Sequence, residues 1–420
     1  MSEQAPARSV AILVDDLAAW LADGHRPTGI QRVVSELLET AYKTPGLRPW
    51  PAVYLDGTGA GDRPELVEIA RDGLRWETHS EPAGARLRAL RGARSVVARL
   101  PMPRSLRERA KATYRRLSLR YAGIRPESRS APNSADLLLV PGGFWMHPET
   151  PRRIRHLAEQ GVLVRVLVYD LFPITNPEWV APNHVHAFRQ ALDELAAVCD
   201  RIVVLSQMVA DSVIARYPWL AESVRVAVPT LEAHAPRRNA RDVRATPSPM
   251  PAPFILALST VEPRKNYRTI LDAWRLGRED DRVTDAWLAV VGRRGWMADD
   301  IEAEIAREGE RLQIRRIDRA TDDEVDALYR DCLATVHASW AEGFGLPARE
   351  SVVRGIPTLM SSSIPRDGLP EGSFRLFEPQ DPHELATLLV DAFLSGRVRT
   401  PVTPGVGTGW EPVLSALVDD

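Results

Sequence analysis

With 420 residues and a mass of 46.7 kDa, the chain is too long for one ordinary core and suits two α/β domains of roughly 200 residues each. Its 44% hydrophobic and 26% charged residues make a globular composition, which excludes collagen, coiled coil and wholesale disorder. A formal net charge of −2, from 54 basic and 56 acidic residues, argues against generic nucleic-acid binding.

No run of about 18 uncharged apolar residues is present, so no transmembrane helix is expected. The opening MSEQAPARS lacks the basic-then-apolar pattern of a signal peptide, so export is not expected. Cys199 and Cys332 make neither a metal spacing nor a disulfide framework, which fits a reducing cytoplasm. Along the chain, residues 10–14 read as a buried strand, 30–41 as a helix and 52–55 as a strand.

Residues 81–130 break this pattern. They hold thirteen Arg and one Lys against three acids, a net +11 that leaves −13 on the rest. Leu87, Leu90, Val97, Leu100, Leu106, Tyr114, Leu117 and Tyr121 are threaded through at roughly helical spacing. The block reads as two basic amphipathic helices, 83–99 and 103–122, split by Pro101 and Pro103. Two readings stand: a solvated arginine-rich excursion, or interfacial helices lying on anionic lipid.

Beyond the block, residues 136–140, 162–168 and 201–205 read as strands, with a helix near 183–198 and another after Ser206. Val/Leu runs with intervening helices indicate a parallel sheet covered on both faces. The pattern restarts at a strand over 254–258, after which Asn266 caps a helix carrying Ile270, Leu271 and Trp274. Strands follow at 287–291, 313–317, 334–338 and 357–360, with helices at 298–307, 322–331, 347–354 and 383–394. The expected division is a Rossmann-like domain over 1–230, a linker over 231–252 and a second Rossmann-like domain over 253–400. A C-terminal segment, 401–420, is expected to cross back to the first domain. Two such α/β domains face each other across a cleft, and ligands should sit just beyond the C-terminal ends of the strands.

The most specific segment is Glu342-Gly-Phe-Gly-Leu-Pro-Ala-Arg-Glu350. Pro347 suits the first turn of a helix, and Phe344, Gly345 and Leu346 present backbone N–H groups at that helix N-terminus, an anion site. Gly343 and Gly345 allow close approach of a ligand. Glu342 before the turn and Glu350 in the first helical turn place two carboxylates at one ligand, each able to grip vicinal hydroxyls. Arg264 and Lys265 follow the first strand of the second domain and set two cations at the cleft edge. Gly29, in Thr28-Gly-Ile-Gln-Arg32, lets the first loop approach a diphosphate or a sugar. Asp170 ends a buried strand at the cleft, with donor or acceptor orientation and helix capping as its two readings. Trp145 is either a sugar platform or core.

The Glu342–Glu350 spacing resembles the E-x7-E arrangement of retaining GT-B glycosyltransferases of family 4 (group 1), of the bacterial surface-polysaccharide type. The resemblance covers most of 254–395, through Ser259-Thr-Val-Glu-Pro-Arg-Lys-Asn266, Val291-Gly-Arg-Arg-Gly-Trp296, Asp322-Asp-Glu-Val-Asp-Ala-Leu-Tyr329 and Gly355-Ile-Pro-Thr358. The basic block lies outside it.

The resemblance implies a GT-B fold and a hexose moved from a nucleotide diphosphate sugar, GDP-mannose first, to a saccharide or lipid-linked acceptor. Glu342, Lys265, Arg264 and Asp170 are then catalytic. Glu350, Phe344, Gly345, Leu346, Thr260, Gly29 and Gly292 hold the nucleotide sugar, and Trp145 and Tyr169 meet the acceptor. Relatives often have His-Asp where this chain has Tyr169-Asp170, so no histidine role passes to position 169. Many members also carry Gly-Arg where this chain has Ser259-Thr260. No Asp-x-Asp motif follows a strand, and two cations with a helix N-terminus serve the leaving phosphate, so neither a metal nor another cofactor is expected. The implied chemistry is a front-face retaining transfer in which the departing phosphate oxygen takes the acceptor proton. Two alternatives are kept: a non-catalytic nucleotide-sugar-binding scaffold, and another GT-B enzyme such as a sugar-nucleotide epimerase. The expected location is cytoplasmic, peripheral on the inner face of the plasma membrane through 81–130, without nucleic-acid partners. The protein should therefore float with anionic vesicles, less so as salt rises, and deletion of 83–125 should abolish flotation. Equal flotation of wild type and deletion would exclude the membrane reading.

Overall fold

The computed structural model describes residues 7–22, 29–55, 65–69, 135–146, 149–234, 246–283, 285–399 and 409–420, with six single positions between 103 and 119. Those six are Pro103, Leu106, Thr113, Tyr114, Leu117 and Leu119. Leu106 is exposed and Leu119 is buried in the first lobe's core. The basic side chains of 81–130, Thr28 and His147 lie outside the described residues.

The first lobe is a seven-stranded sheet in the order β3-β2-β1-β4-β5-β6-β7. Its strands are β1 (Arg8–Leu13), β2 (Leu47–Leu55), β3 (Glu65–Glu68), β4 (Leu137–Val140), β5 (Leu163–Val168), β6 (Arg201–Val204) and β7 (Val224–Val226). All neighbours are parallel except β2 and β3. The second lobe is a six-stranded parallel sheet, β10-β9-β8-β11-β12-β13. Its strands are β8 (Phe254–Leu258), β9 (Trp287–Val291), β10 (Ile314–Ile317), β11 (Ala334–His337), β12 (Thr358–Ser361) and β13 (Phe374–Phe377).

Both sheets are buried on two faces because successive side chains point opposite ways. In β1, Val10 and Ile12 pack with Val33, Val34 and Leu37 of the helix Ile30–Lys43, while Ala11 and Leu13 belong to the opposite core with Leu192 and Val213. In β8, Ile255 and Ala257 meet Ile270, Trp274 and Leu389, whereas Phe254 and Leu256 meet Leu328 and Tyr329. These are the uninterrupted apolar runs expected of covered parallel sheets.

In each sheet the strand order reverses beside the first strand: between β1 and β4, and between β8 and β11. The crevice at such a reversal lies beyond the strand C-termini. Asp15–Asp16 and Pro141–Gly143 flank it in the first lobe; Ser259–Lys265 and Ala338–Glu342 flank it in the second.

Several elements differ from expectation. Residues 15–22 form a helix, Asp15–Ala22, and β3, β7, β13 and the helix Thr150–Glu159 were not anticipated. These pieces are short or polar, and periodicity alone does not distinguish them from loops. Asn266 caps the helix Tyr267–Gly277 by accepting from Thr269 N (3.4 Å), as read from sequence. Among the described residues, no helix is long and apolar enough to cross a membrane.

The helix Glu411–Val418 packs against the first lobe, placing Val413, Leu414 and Leu417 in its core. Trp410 Nε1 donates to Glu36 (2.6 Å). Three arginines at the strand N-termini take the carbonyls that this helix leaves unpaired. Arg8 bonds Val418 O, Arg165 bonds Leu417 O (2.9 Å) and Asp419 O (2.5 Å), and Arg201 bonds Ala416 O (2.9 Å). The cations also oppose the negative end of the helix dipole. Arg165 is only 4% exposed, so its removal strands buried acceptors. Arg165→Ala should cost about 2 kcal/mol of stability, read from the midpoint of denaturant unfolding.

Candidate active site

Glu342 and the cations expected to work with it come from the two loops flanking the second-lobe reversal. Glu342 Oε1 accepts from Lys265 Nζ and from Ser339 Oγ (2.6 Å), and Oε2 accepts from Arg264 Nη1 (2.7 Å). Burial pushes the Glu342 carboxyl up, but the Lys265 and Arg264 charges outweigh it and hold it well below the usual range. Arg264 also bonds Ala341 O (3.0 Å) and Glu262 (2.9 Å), and its pKa is raised by the carboxylates around it despite burial. The backbone turn Pro263–Lys265 is held by Asn266 in a left-handed conformation (φ 53°), which Asn tolerates better than most residues.

The loop over 343–345 is shaped from within. Gly345 adopts φ 80° as it leads into the helix Leu346–Val353, and a β-carbon there would strike Ile364. Phe344 is buried, with the Arg349 guanidinium 3.6 Å from its ring centre. Arg349 Nε donates to Phe344 O (3.1 Å) and Nη2 to Pro365 O (3.3 Å). Burial lowers the Arg349 pKa to about 9. Leu346 packs against the first-lobe core. His337, at the end of β11, is buried; burial and the Lys265 charge lower its pKa to about 3, so the ring is neutral beside Ser351 Oγ (3.3 Å).

Across the cleft, Asp170 stands beside this cluster. Burial raises its pKa, against the Arg264 charge that lowers it, and Oδ1 accepts from Phe172 N (3.2 Å). Arg264 also lies over the Phe172 ring (5.2 Å). The lobes touch here. Ser206 Oγ donates to Gly343 O (2.7 Å), and Gln207 N donates to Asp367 (3.1 Å). A β-carbon on Gly343 would fall 1.9 Å from the Tyr169 carbonyl oxygen.

Glu350 departs from expectation. It sits in the second turn of its helix, not the first. Its carboxylate accepts from Arg32 Nη1 of the first lobe (2.6 Å) and from Tyr329 OH (3.1 Å). Arg32 in turn bonds Glu36 (3.1 Å), the partner of Trp410. The sequence marked Arg32 only as part of a motif, and its i,i+4 spacing to Glu36 was the one local signal. Tyr329 was likewise marked only as the end of a motif, and Ser339 carried no signal.

The remaining candidates fall as follows. Gly29 (φ 53°) is exposed at the N-terminus of the helix Ile30–Lys43, with open space around it. Gly292 (φ 135°) lets its loop meet Ser259, whose carbonyl oxygen would lie 2.0 Å from a β-carbon. Thr260 is exposed beside that loop. Tyr169 OH donates to Pro141 O (2.6 Å), within the first lobe. Trp145 is half-buried and packs edge-on against Phe144 (4.9 Å) and Phe188 (5.1 Å). Asp16 was missed. It is buried against the Gly142–Gly143 turn with Oδ2 unpartnered, and burial raises its pKa to about 6.

Residues 239–395 match the family model for glycosyl transferases group 1. The chain is similar to the Escherichia coli serotype-specific mannosyltransferase WbdA, 28% identical over 250 residues that make 54% of this chain and 29% of WbdA. It is also similar to the Escherichia coli O-antigen chain mannosyltransferase B, 27% identical over 198 residues, 46% of this chain and 51% of that protein. The matched stretches thus span about half of one curated relative and under a third of the other. Two solved structures share the fold. HepE of Anabaena, in complex with UDP and glucose, superposes with TM-score 0.54 at 13% identity, covering 91% of this chain and 89% of that one. Sucrose-phosphate synthase of Thermosynechococcus elongatus gives TM-score 0.55 at 15% identity, covering 98% and 95%.

The Gly343–Tyr169 contact makes a direct test of whether the lobes work closed. Gly343→Ala should hold them apart, enlarge the radius of gyration in solution scattering and cut turnover about 100-fold, as a displacement near 1 Å does, with each lobe still folded.

Proposed function

We propose that this chain, whose residues 239–395 match the model for group 1 glycosyl transferases, moves a hexose from a nucleotide diphosphate sugar to a saccharide acceptor. The observation that carries this reading is the cluster of Lys265, Arg264 and Glu342 at the strand reversal, with Asp170 facing it. In the free protein Glu342 pairs with both cations, and Glu262 supplies Arg264 with a second carboxylate. A donor diphosphate is a stronger claimant for them, since a phosphate presents more charge and more acceptor oxygens than one carboxylate. Its arrival would release Glu342 to accept hydroxyls of the transferred sugar. Lys265, Arg264 and the N–H groups of Gly345 and Leu346 would then stabilise the charge that grows on the leaving phosphate.

We assign the transfer a retaining, front-face course without a resident metal. The departing phosphate oxygen takes the acceptor proton, and Asp170 orients the acceptor hydroxyl. Glu350 meets the nucleotide ribose after exchanging Arg32 for ribose hydroxyls. GDP-mannose is the first donor to try, because both Escherichia coli relatives are mannosyltransferases by name; UDP-hexoses come second, because HepE was captured with UDP and glucose. A lipid-linked acceptor presented at an anionic surface through 81–130 completes the proposal.

Glu342→Gln keeps the side chain's volume and removes its charge. Transfer and donor hydrolysis should fall roughly 100–1000-fold, while the folded protein still shows a thermal shift with its preferred nucleotide among GDP, UDP and dTDP. Wild-type turnover in that variant would defeat the assignment, and the absence of any nucleotide shift in wild type would defeat donor binding.

A further inference from the structure

A groove of about 380 Å³ opens on the second lobe, walled by the same loops that carry the catalytic charges. Glu262 and Pro263 on one side immediately precede Arg264 and Lys265. Trp340 on the other is two residues from Glu342, and its backbone N–H donates to Arg264 O (2.9 Å). Met297 and Asp272 close the remaining sides. The volume lies within the range of small-molecule sites.

Its lining is chemically specific. Trp340 is 37% exposed and Met297 is 63% exposed, an apolar platform on the surface. Around it stand polar groups with spare capacity. Among the described residues, nothing bonds the Trp340 indole N–H or the Gln380 amide. Glu262 meets Arg264 through Oε1 and Asp272 meets Arg275 through Oδ1, so each keeps an oxygen without a partner there. One cation, Arg268, also lines the groove; its Nη1 pairs with Glu304 and its side chain is half exposed.

A flat indole face with two carboxylate oxygens, an amide and one N–H donor complements a pyranose ring. The ring's axial C–H face packs on the negative π face, and its hydroxyls donate to the carboxylates. A phosphate or nucleotide would meet two carboxylates against a single cation, Arg268, that is already paired with Glu304. An acyl chain would leave those carboxylates dehydrated and unpaired.

We infer that this groove binds a pyranose unit of the acceptor saccharide, away from the unit that receives the new sugar. The inference rests on the proposed glycosyl transfer and adds a second-lobe subsite to it. Holding a chain at two places raises the effective concentration of its end at the catalytic charges. Longer acceptors then gain affinity that a monosaccharide acceptor does not.

The test compares wild type, Trp340→Ala, Trp340→Phe and Asp272→Asn, with mannotetraose and maltotetraose as probes followed by saturation-transfer NMR and indole fluorescence. Trp340→Ala should weaken binding of at least one tetrasaccharide about tenfold, the equivalent of roughly 1.4 kcal/mol. Trp340→Phe should retain most of it, and Asp272→Asn should weaken it less than Trp340→Ala. In turnover, Trp340→Ala should raise KM for the tetrasaccharide by the same factor. KM for a monosaccharide acceptor, kcat and donor hydrolysis should not move.

Equal tetrasaccharide binding in wild type and Trp340→Ala overturns the inference, as does the failure of wild type to bind either probe while donor hydrolysis is intact. Loss of the nucleotide thermal shift in Trp340→Ala also overturns it, because the groove would then belong to the donor. A change of oligomeric state in Trp340→Ala with saccharide binding untouched would reassign the groove to a protein contact. If wild type binds no nucleotide yet binds a tetrasaccharide through Trp340, the groove stands and the transfer reading falls.

Discussion

Glu342 is a largely buried carboxylate, and it stays charged because two cations and a hydroxyl meet it from the loops on either side of one strand reversal. Burying a lone carboxylate is prohibitively costly, and it would protonate instead. With Lys265 and Arg264 in place, burial strengthens each interaction, and the three groups are held together at one place. On the proposed function, the same charges would select an anion strong enough to take both cations, carrying hydroxyls that suit the released carboxylate. A neutral or cationic ligand offers no such exchange.

Closure of the lobes depends on absent atoms as much as on bonds. The missing side chain of Gly343 lets the loop carrying Glu342 lie against the Tyr169 carbonyl, which brings Asp170 to the cluster. Ser206 and Arg32 tie the same two surfaces together. Arg32 reaches Glu350 from the motif at the start of the first lobe, and Glu36 links that pair to Trp410 near the end of the chain. On the proposed function, nucleotide binding at Glu350 would be coupled to how the lobes meet, because ribose hydroxyls and Arg32 would seek the same oxygens.

Much of the fold was legible locally. Residues 10–14 and 254–258 are unbroken apolar runs, 162–168 is one broken only by Arg165, and all three coincide with covered parallel strands. Asn266 was readable as a cap because an Asx side chain before an apolar helix has one common use. The helix Asp15–Ala22 was not, since two buried aspartates at its start look like surface residues until Gly142 and Gly143 close over Asp16. Glu342, Arg264 and Lys265 were found by residue type and position after strands, and the structure brings them together. Glu350 was found too, but its partners Arg32 and Tyr329 lie 318 and 21 residues away in sequence.

The amino-acid sequence by itself determined the α/β class, the positions of the main strands and the presence of two acids and two bases after them. Those properties depend on side-chain periodicity and helix-end chemistry within a few residues. Only the tertiary structure decided that Glu342 is already ion-paired, that Glu350 faces the other lobe, that Tyr169 is bonded within its own lobe, and that Trp340 stands over an open groove. Each of these follows from the space between loops that meet only when two sheets and their reversals are assembled, and no local pattern encodes that space.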